Sequence, residues 1–309
     1  MVFQEIERYK SLDFFAKQVV EGFITGLHKS PFHGFSVEFA EHRLYNTGES
    51  TKNIDWKLYG RTDKLFVKRF EEETNLRCWL LIDNSSSMYF PLSGHGDFAR
   101  PDKLTFSVYA SALLVELLHR QRDAFGLTLF SDKIDLQTEV RSSTMHQRYL
   151  YTLLSQLLEP VTPEKLEKKG TSIAECLHLM AEKMHRRSLV VIFTDAFVHR
   201  GEDEKLFDAL RHLRHWGHEV LLFHTMANDK EVDFEFGSKP CWFIDMESGK
   251  RIKAFPNEVA SRYRTEMTER VEAVKQHAMQ YKVDYIPVDV NRGFEQVMLP
   301  YLLKRSRHY

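Results

Sequence analysis

Apolar and polar positions alternate along most of the chain in blocks that have the lengths of strands and helices. Short apolar runs occupy residues 78–82, 125–130, 189–193, 220–223 and 283–288. Apolar side chains recur at helical spacing over residues 101–119, 145–158, 172–186, 203–216, 258–281 and 292–305. Strands that alternate with helices predict an α/β fold with a doubly wound, mostly parallel sheet. The polar stretch 227–256 contains a hairpin-like sequence around Ser248 and Gly249.

The first part of the chain has a different pattern. Residues 4–27 have the spacing of one helix, residues 32–45 have an extended pattern, and residues 65–70 alternate apolar and basic side chains as a half-exposed strand does. We therefore predict two regions. A small α+β region covers residues 1–76, and the α/β domain covers residues 77–309.

The composition is that of a globular protein with balanced charge. Lys and Arg number 43 and Asp and Glu number 44, so no large basic surface is available and we expect no nucleic-acid binding. No apolar run approaches the roughly 18–20 residues of a membrane helix, so we expect no integral membrane segment. The start of the chain does not have the pattern of a secretory signal. Three widely spaced cysteines favour free thiols in a cytoplasmic protein.

Several side chains with carboxylate or hydroxyl oxygens follow two of the apolar runs or precede a predicted helix. In an open α/β sheet, ligands bind outside the carboxyl ends of the strands, so we expect these side chains to converge. Two carboxylates and three hydroxyls suit Mg²⁺, with Mn²⁺ or Ca²⁺ as alternatives, better than Zn²⁺. We call these residues the oxygen cluster: Asp83, Ser85, Ser87, Thr171 and Asp195. Ser172 and Glu175 fit a capping box, which would leave the Thr171 hydroxyl free.

The order of these residues resembles the von Willebrand factor A domain and its metal-ion-dependent adhesion site. In that family a D-x-S-x-S loop, a threonine and a second aspartate share one divalent cation, and all five residue types match the oxygen cluster. The resemblance implies that the serines and the threonine bind the cation directly. It also implies that Asp83 and Asp195 act partly through water.

The sequence upstream of Asp83 resembles the bacterial domain-of-unknown-function 58 family, and this resemblance covers nearly the whole chain. It is carried by Tyr45, Gly48, Ile54, Asp55, Trp56, Lys57, Tyr59, Arg61, Asp63, Val67, Lys68, Phe70 and Glu73. Members of that family are often membrane anchored and tend to accompany MoxR-type AAA+ ATPases, which implies a role in assembly or maturation of other proteins. We expect this chain to be a soluble, cytoplasmic member.

These features favour a non-enzymatic, metal-dependent protein-interaction module. The cation would keep one coordination position for an Asp or Glu of a protein partner. One alternative is a divalent-metal-dependent hydrolase with His95 or Asp97 as its general base. Another is a scaffold whose metal site is empty or occluded by the loop 89–100, a loop that could also gate the site or supply Asp97 as a further ligand.

Overall fold

The computed structural model describes residues 11–28, 42–44, 56–62, 64–68, 76–162, 166–197, 203–295 and 297–298. The strands among these residues are β1 His42–Leu44, β2 Phe66–Lys68, β3 Arg77–Asp83, β4 Ala124–Phe130, β5 Ile134–Gln137, β6 Leu189–Thr194, β7 Glu219–Met226, β8 Cys241–Ile244, β9 Arg251–Ala254 and β10 Asp284–Asp289. The α-helices are α1 Leu12–His28, α2 Trp56–Thr62, α3 Lys103–Arg120, α4 Thr144–Gln156, α5 Ile173–Lys183, α6 Asp203–His215, α7 Asn228–Glu231 and α8 Pro256–Gln280.

The described residues fall into two compact units. One contains residues 23–75, in which β1 and β2 pair as antiparallel strands. The other contains residues 11–22 together with those from 76 onward. Much of the predicted family sequence, including Asp55 and Asp63, lies outside the described residues, and the predicted division at residue 76 stays a prediction.

The larger unit is built on a six-stranded sheet with the order β10-β7-β6-β3-β4-β5. In this order, neighbouring strands from β10 as far as β4 pair in parallel, and the edge strand β5 pairs with β4 as an antiparallel strand. The predicted α/β class with a mostly parallel sheet is therefore confirmed. β5 was not predicted, because its four residues alternate between half-buried and exposed positions and lack an apolar run.

Helices cover both faces of this sheet. On one face Trp79 and Leu81 belong to a core cluster that includes α5, α6 and α8. Successive side chains of a strand point to opposite faces, so Leu80 and Ile82 point to the other face, where α3 contacts β3 and β4. β3 and β6 are buried almost throughout, which explains why both appeared in the sequence as uninterrupted apolar runs.

The predicted hairpin is also present, as a separate sheet in which β8 and β9 pair antiparallel. We call it the β8–β9 hairpin. It lies in the long connection between β7 and α8. The predicted helix over 292–305 lies largely outside the described residues. No helix in the described part of the chain is both long enough and apolar enough to cross a membrane.

Candidate functional site

The carboxyl ends of β3 and β6 meet at the centre of the sheet. The chain passes from β3 through α3 to β4 in one direction, and from β6 through α6 to β7 in the other. Such a reversal between neighbouring strands is where open α/β sheets bind ligands. Asp83 is the last residue of β3 and Asp195 directly follows β6, so two buried carboxylates lie at this reversal.

Asp83 accepts hydrogen bonds through both carboxylate oxygens. Its Oδ1 atom accepts from the Ser85 amide at 3.0 Å. Its Oδ2 atom accepts from the hydroxyls of Thr194 at 2.7 Å and Thr171 at 3.4 Å. All of these donors are neutral. Thr194 was not selected from the sequence, and its place at the end of a buried strand was the signal that could have identified it.

The two serines of the D-x-S-x-S loop lie beside each other, with their hydroxyl oxygens 3.1 Å apart. Ser86 between them ties this loop to the segment before α5. Its amide donates to the Lys169 carbonyl at 3.0 Å, and its hydroxyl donates to the Glu167 carbonyl at 2.8 Å. The structure thus brings the three predicted segments of the oxygen cluster together. The role of these residues as cation ligands stays a prediction.

Ser172 directly precedes α5, but its side chain makes no capping hydrogen bond, so the predicted capping box does not form. The physical reason is its backbone, with φ −117° and ψ 50°, which differs from the extended conformation that aims a capping side chain at the helix. The Ser172 amide instead donates to the Ser131 carbonyl at 2.8 Å. Thr171 still directs its hydroxyl to Asp83.

A buried lysine neutralises one of the two carboxylates. The Lys103 ammonium lies 2.7 Å from Asp195 Oδ2 and 2.6 Å from Glu231 Oε1, and the lysine side chain is 0% exposed. The other Asp195 oxygen, Oδ1, accepts from the Phe197 amide at 3.0 Å. Lys103 and Glu231 were not predicted, because in the sequence Lys103 looks like an ordinary charged residue of a predicted helix and Glu231 lies in the polar stretch 227–256.

The two aspartates therefore have different electrostatic environments. Burial and the neighbouring charge of Asp195 raise the pKa of Asp83 to about 6, against the hydrogen bonds from Ser85 and Thr194. Burial also disfavours the charge of Asp195, but the Lys103 ammonium outweighs it and lowers the pKa of Asp195 below its usual value. Asp83 is thus the carboxylate whose charge has no cationic partner among its hydrogen-bond donors.

A third carboxylate reaches the site from the β8–β9 hairpin. Burial raises the pKa of Glu247 to about 7, and the charges of Asp195 and Asp83 add to this, whereas hydrogen bonding with Ser87 opposes it. Glu247 was not predicted, because nothing in the sequence links the hairpin turn to the strand ends. Within the described part of the chain, no group of three His, Cys, Asp or Glu side chains has the spacing of a metal site. A cation at the oxygen cluster would therefore need hydroxyl ligands as well as carboxylates.

The loop 89–100 uses its own polar side chains for structure. Asp97 accepts a hydrogen bond from the Ala99 amide at 2.8 Å. The two ring nitrogens of His95 lie 2.8 Å from Asp102 Oδ2 and 3.1 Å from the Glu159 carbonyl oxygen. The hydrolase alternative needs His95 or Asp97 as its general base. Both side chains instead make hydrogen bonds that hold the loop.

The chain matches one protein family and several uncharacterised relatives. Residues 41–276 match the family described as "Protein of unknown function DUF58". The uncharacterised protein Rv1480 of Mycobacterium tuberculosis is 24% identical over 186 residues, which are 60% of this chain and 55% of that protein. The uncharacterised protein Mb1516 of Mycobacterium bovis matches to the same extent. The chain therefore spans about half the length of the curated relatives it matches.

Two solved structures are similar to the chain at low sequence identity. The conserved hypothetical protein BatB from Bacteroides thetaiotaomicron is 19% identical with a TM-score of 0.43, over 76% of this chain and 100% of that chain. An aerotolerance-related membrane protein from Bacteroides fragilis is 20% identical with a TM-score of 0.43, over 72% of this chain and 97% of that chain.

Proposed function

We propose, from the premise that the chain belongs to the DUF58 family, that its sheet is a von Willebrand factor A-like domain and that the oxygen cluster is a metal-ion-dependent adhesion site. One observation carries the proposal. The ends of β3 and β6 and the segment before α5 bring two buried carboxylates and three hydroxyl side chains to the reversal point of the sheet. The protein would bind other proteins through this site and would have no catalytic role of its own.

The residues at the site fit a hard divalent cation. Asp83 is 0% exposed, and the hydrogen bonds that it accepts from described residues come from neutral donors, which stabilise its negative charge as dipoles. A buried carboxylate without a positive partner is unfavourable, and a cation held beside it would remove that penalty. Oxygen atoms of carboxylates and hydroxyls are the ligands that Mg²⁺ and Mn²⁺ prefer.

Asp83 and Asp195 would hold the cation together with Ser85, Ser87 and Thr171. When bound, the ion would supply a Lewis-acidic position for one carboxylate oxygen of a partner protein. Lys103 cancels part of the negative charge at the site, which keeps such a cation attractive to an acidic partner. The family resemblance supports a MoxR-type AAA+ ATPase as the partner and an assembly or maturation role in the cytoplasm.

Cation titration of the chelator-treated full chain tests the metal assignment. We expect Mg²⁺ to raise the melting temperature, with a stabilisation of about 2.7 kcal/mol at roughly 100 times its Kd. Asp83→Asn should abolish this stabilisation and the binding heat in calorimetry. Asp97→Asn is the matched control, because Asp97 is exposed and contacts only its own loop among the contacts described. Equal Mg²⁺ affinity in wild type and Asp83→Asn would refute the assignment.

A further inference from the structure

The β8–β9 hairpin is anchored to the domain through one of its two sides. Phe243 stacks on Phe234 with their ring centroids 5.4 Å apart, and Phe236 meets Phe243 edge to face at 5.1 Å. Phe234 in turn packs against Tyr263 of α8 at 4.4 Å. Aromatic pairs at such distances stabilise the packing of two surfaces. The side of the hairpin that carries Phe243 is thus the inner side.

Large apolar side chains also occupy the outer side of the hairpin. Successive residues of a strand point to opposite sides, so Trp242 and Ile244 point away from the side of Phe243. Phe255 follows β9 with an extended backbone, and the same alternation places it on the side of Trp242. Trp242, Ile244 and Phe255 are 61%, 53% and 50% exposed. Single exposed apolar residues are common, but a cluster of three large ones indicates a binding surface.

Two cations lie beside these apolar side chains. In the antiparallel register Lys253 is opposite Trp242 and Arg251 is opposite Ile244, and paired residues point to the same side. The Lys253 ammonium lies 6.0 Å from the centre of the Trp242 ring, as this register requires. Both cations are exposed, and neither forms an ion pair within the part of the chain that the structure describes. We call this set the outer hairpin face: Trp242, Ile244, Arg251, Lys253 and Phe255.

The charge of the outer hairpin face determines which ligand fits it. Two unpaired cations beside exposed aromatic rings match a protein segment that combines Asp or Glu with apolar side chains. Trp and Arg are also the residues that most often dominate the binding energy of protein interfaces. An anionic membrane is usually bound by clusters of about four to eight Lys or Arg residues, more than this face has. Nucleic acid requires a broad basic surface, whereas the net charge of the chain is −1.

We propose that the outer hairpin face binds an acidic segment of a partner protein. Apolar side chains of that segment cover Trp242, Ile244 and Phe255, and its carboxylates pair with Arg251 and Lys253. The contact is direct and needs no metal ion, so this inference goes beyond the proposed function of the oxygen cluster. Only five side chains form the face, so the contact is weak on its own. Its charges are exposed, so salt weakens it further.

Selection of random short peptides displayed on phage tests this inference, with the full chain in chelator as the bait. We expect enrichment of peptides that combine Asp or Glu with apolar residues. A fluorescein-labelled copy of the most enriched peptide should bind wild type, as measured by anisotropy. Trp242→Ser and Arg251→Glu should each weaken this binding by at least roughly tenfold. Lys133→Glu is the matched control and should bind as wild type does, because it makes the same change of sign at an exposed residue outside the hairpin.

Several outcomes would overturn the inference. Absence of enrichment, or equal binding of the peptide to wild type and Arg251→Glu, would refute an acidic ligand at this face. Binding to phosphatidylglycerol vesicles or to single-stranded DNA in place of peptides, with its loss in Trp242→Ser, would assign the face to a membrane or to nucleic acid instead. Circular dichroism establishes that the variants are folded. All measurements are made in chelator, so their failure leaves the metal-site proposal standing, and failure of Mg²⁺ binding leaves this inference standing.

Discussion

Lys103 is the residue that most distinguishes this site from a simple set of oxygen ligands. Its ammonium group is completely buried and is shared by Asp195 and Glu231. A buried charge of this kind is tolerated only with close partners, and loss of one partner leaves the others uncompensated. Lys103 therefore acts as a resident cation for Asp195, whereas in the proposed function a cation from solution would compensate the charge of Asp83.

This division predicts the behaviour of Lys103→Met. We expect the variant to lose about 3–5 kcal/mol of unfolding free energy in chelator, because Asp195 and Glu231 keep their buried charges without a counterion. We further expect Mg²⁺ to restore more stability to Lys103→Met than it adds to wild type. Urea unfolding with chelator and with Mg²⁺ measures both effects.

Lys133→Met serves as the control for that experiment, because Lys133 is an exposed lysine. It should match wild type in both solutions. A Mg²⁺ stabilisation of Lys103→Met no greater than that of wild type would show that the ion does not compensate Asp195.

At the scale of elements, strand ends could be predicted from the sequence and long-range ion pairs could not. The apolar runs of β3 and β6 end in Asp83 and Asp195, and parallel strands bring such ends to one edge of a sheet. Lys103, in contrast, is separated from its two carboxylate partners by 92 and 128 residues, and no periodicity links them. The hairpin was predicted from its turn residues, yet its place beside the site depends on tertiary packing.

A pair of glycines tests whether the shape of the hairpin turn matters for cation binding. Gly249 and Gly237 have positive φ values of +69° and +75°, so an alanine at either position costs roughly 1–2 kcal/mol in backbone strain. A Cβ at Gly249 would also meet the Lys168 side chain, whereas a Cβ at Gly237 would meet nothing within 4 Å. The atoms near Gly249 are the far end of a flexible lysine side chain, which can move aside, so we expect both variants to lose similar melting temperature and to keep the Mn²⁺ affinity of wild type.

Calorimetric titration of both glycine variants, with their melting temperatures in chelator, checks this expectation. Similar losses of melting temperature would show that the backbone strain is matched. A fall in Mn²⁺ affinity in Gly249→Ala alone would contradict the expectation and show that the turn has a specific role in cation binding.

For the whole molecule, the charge balance limits how an acidic partner can be attracted. The net charge is −1, so the protein offers little overall attraction to an acidic surface. Screening acts over about 8 Å at physiological ionic strength, and it weakens exposed charge pairs far more than a buried cation–carboxylate contact. The proposed binding is therefore local to one ion.

Because the proposed contact is confined to one ion, we can predict how capture of a MoxR-type ATPase by this protein responds to chelator and to salt. We expect chelator to abolish capture of the ATPase. An increase in NaCl from about 50 to about 300 mM should reduce capture only slightly, because salt screens a buried contact at the cation much less than it screens exposed charges. Asp83→Asn should behave as chelator-treated wild type does, and Asp97→Asn as untreated wild type. Capture that survives chelator but disappears in salt would instead indicate a docking surface of exposed charges, and the adhesion-site role of the oxygen cluster in this complex would be refuted.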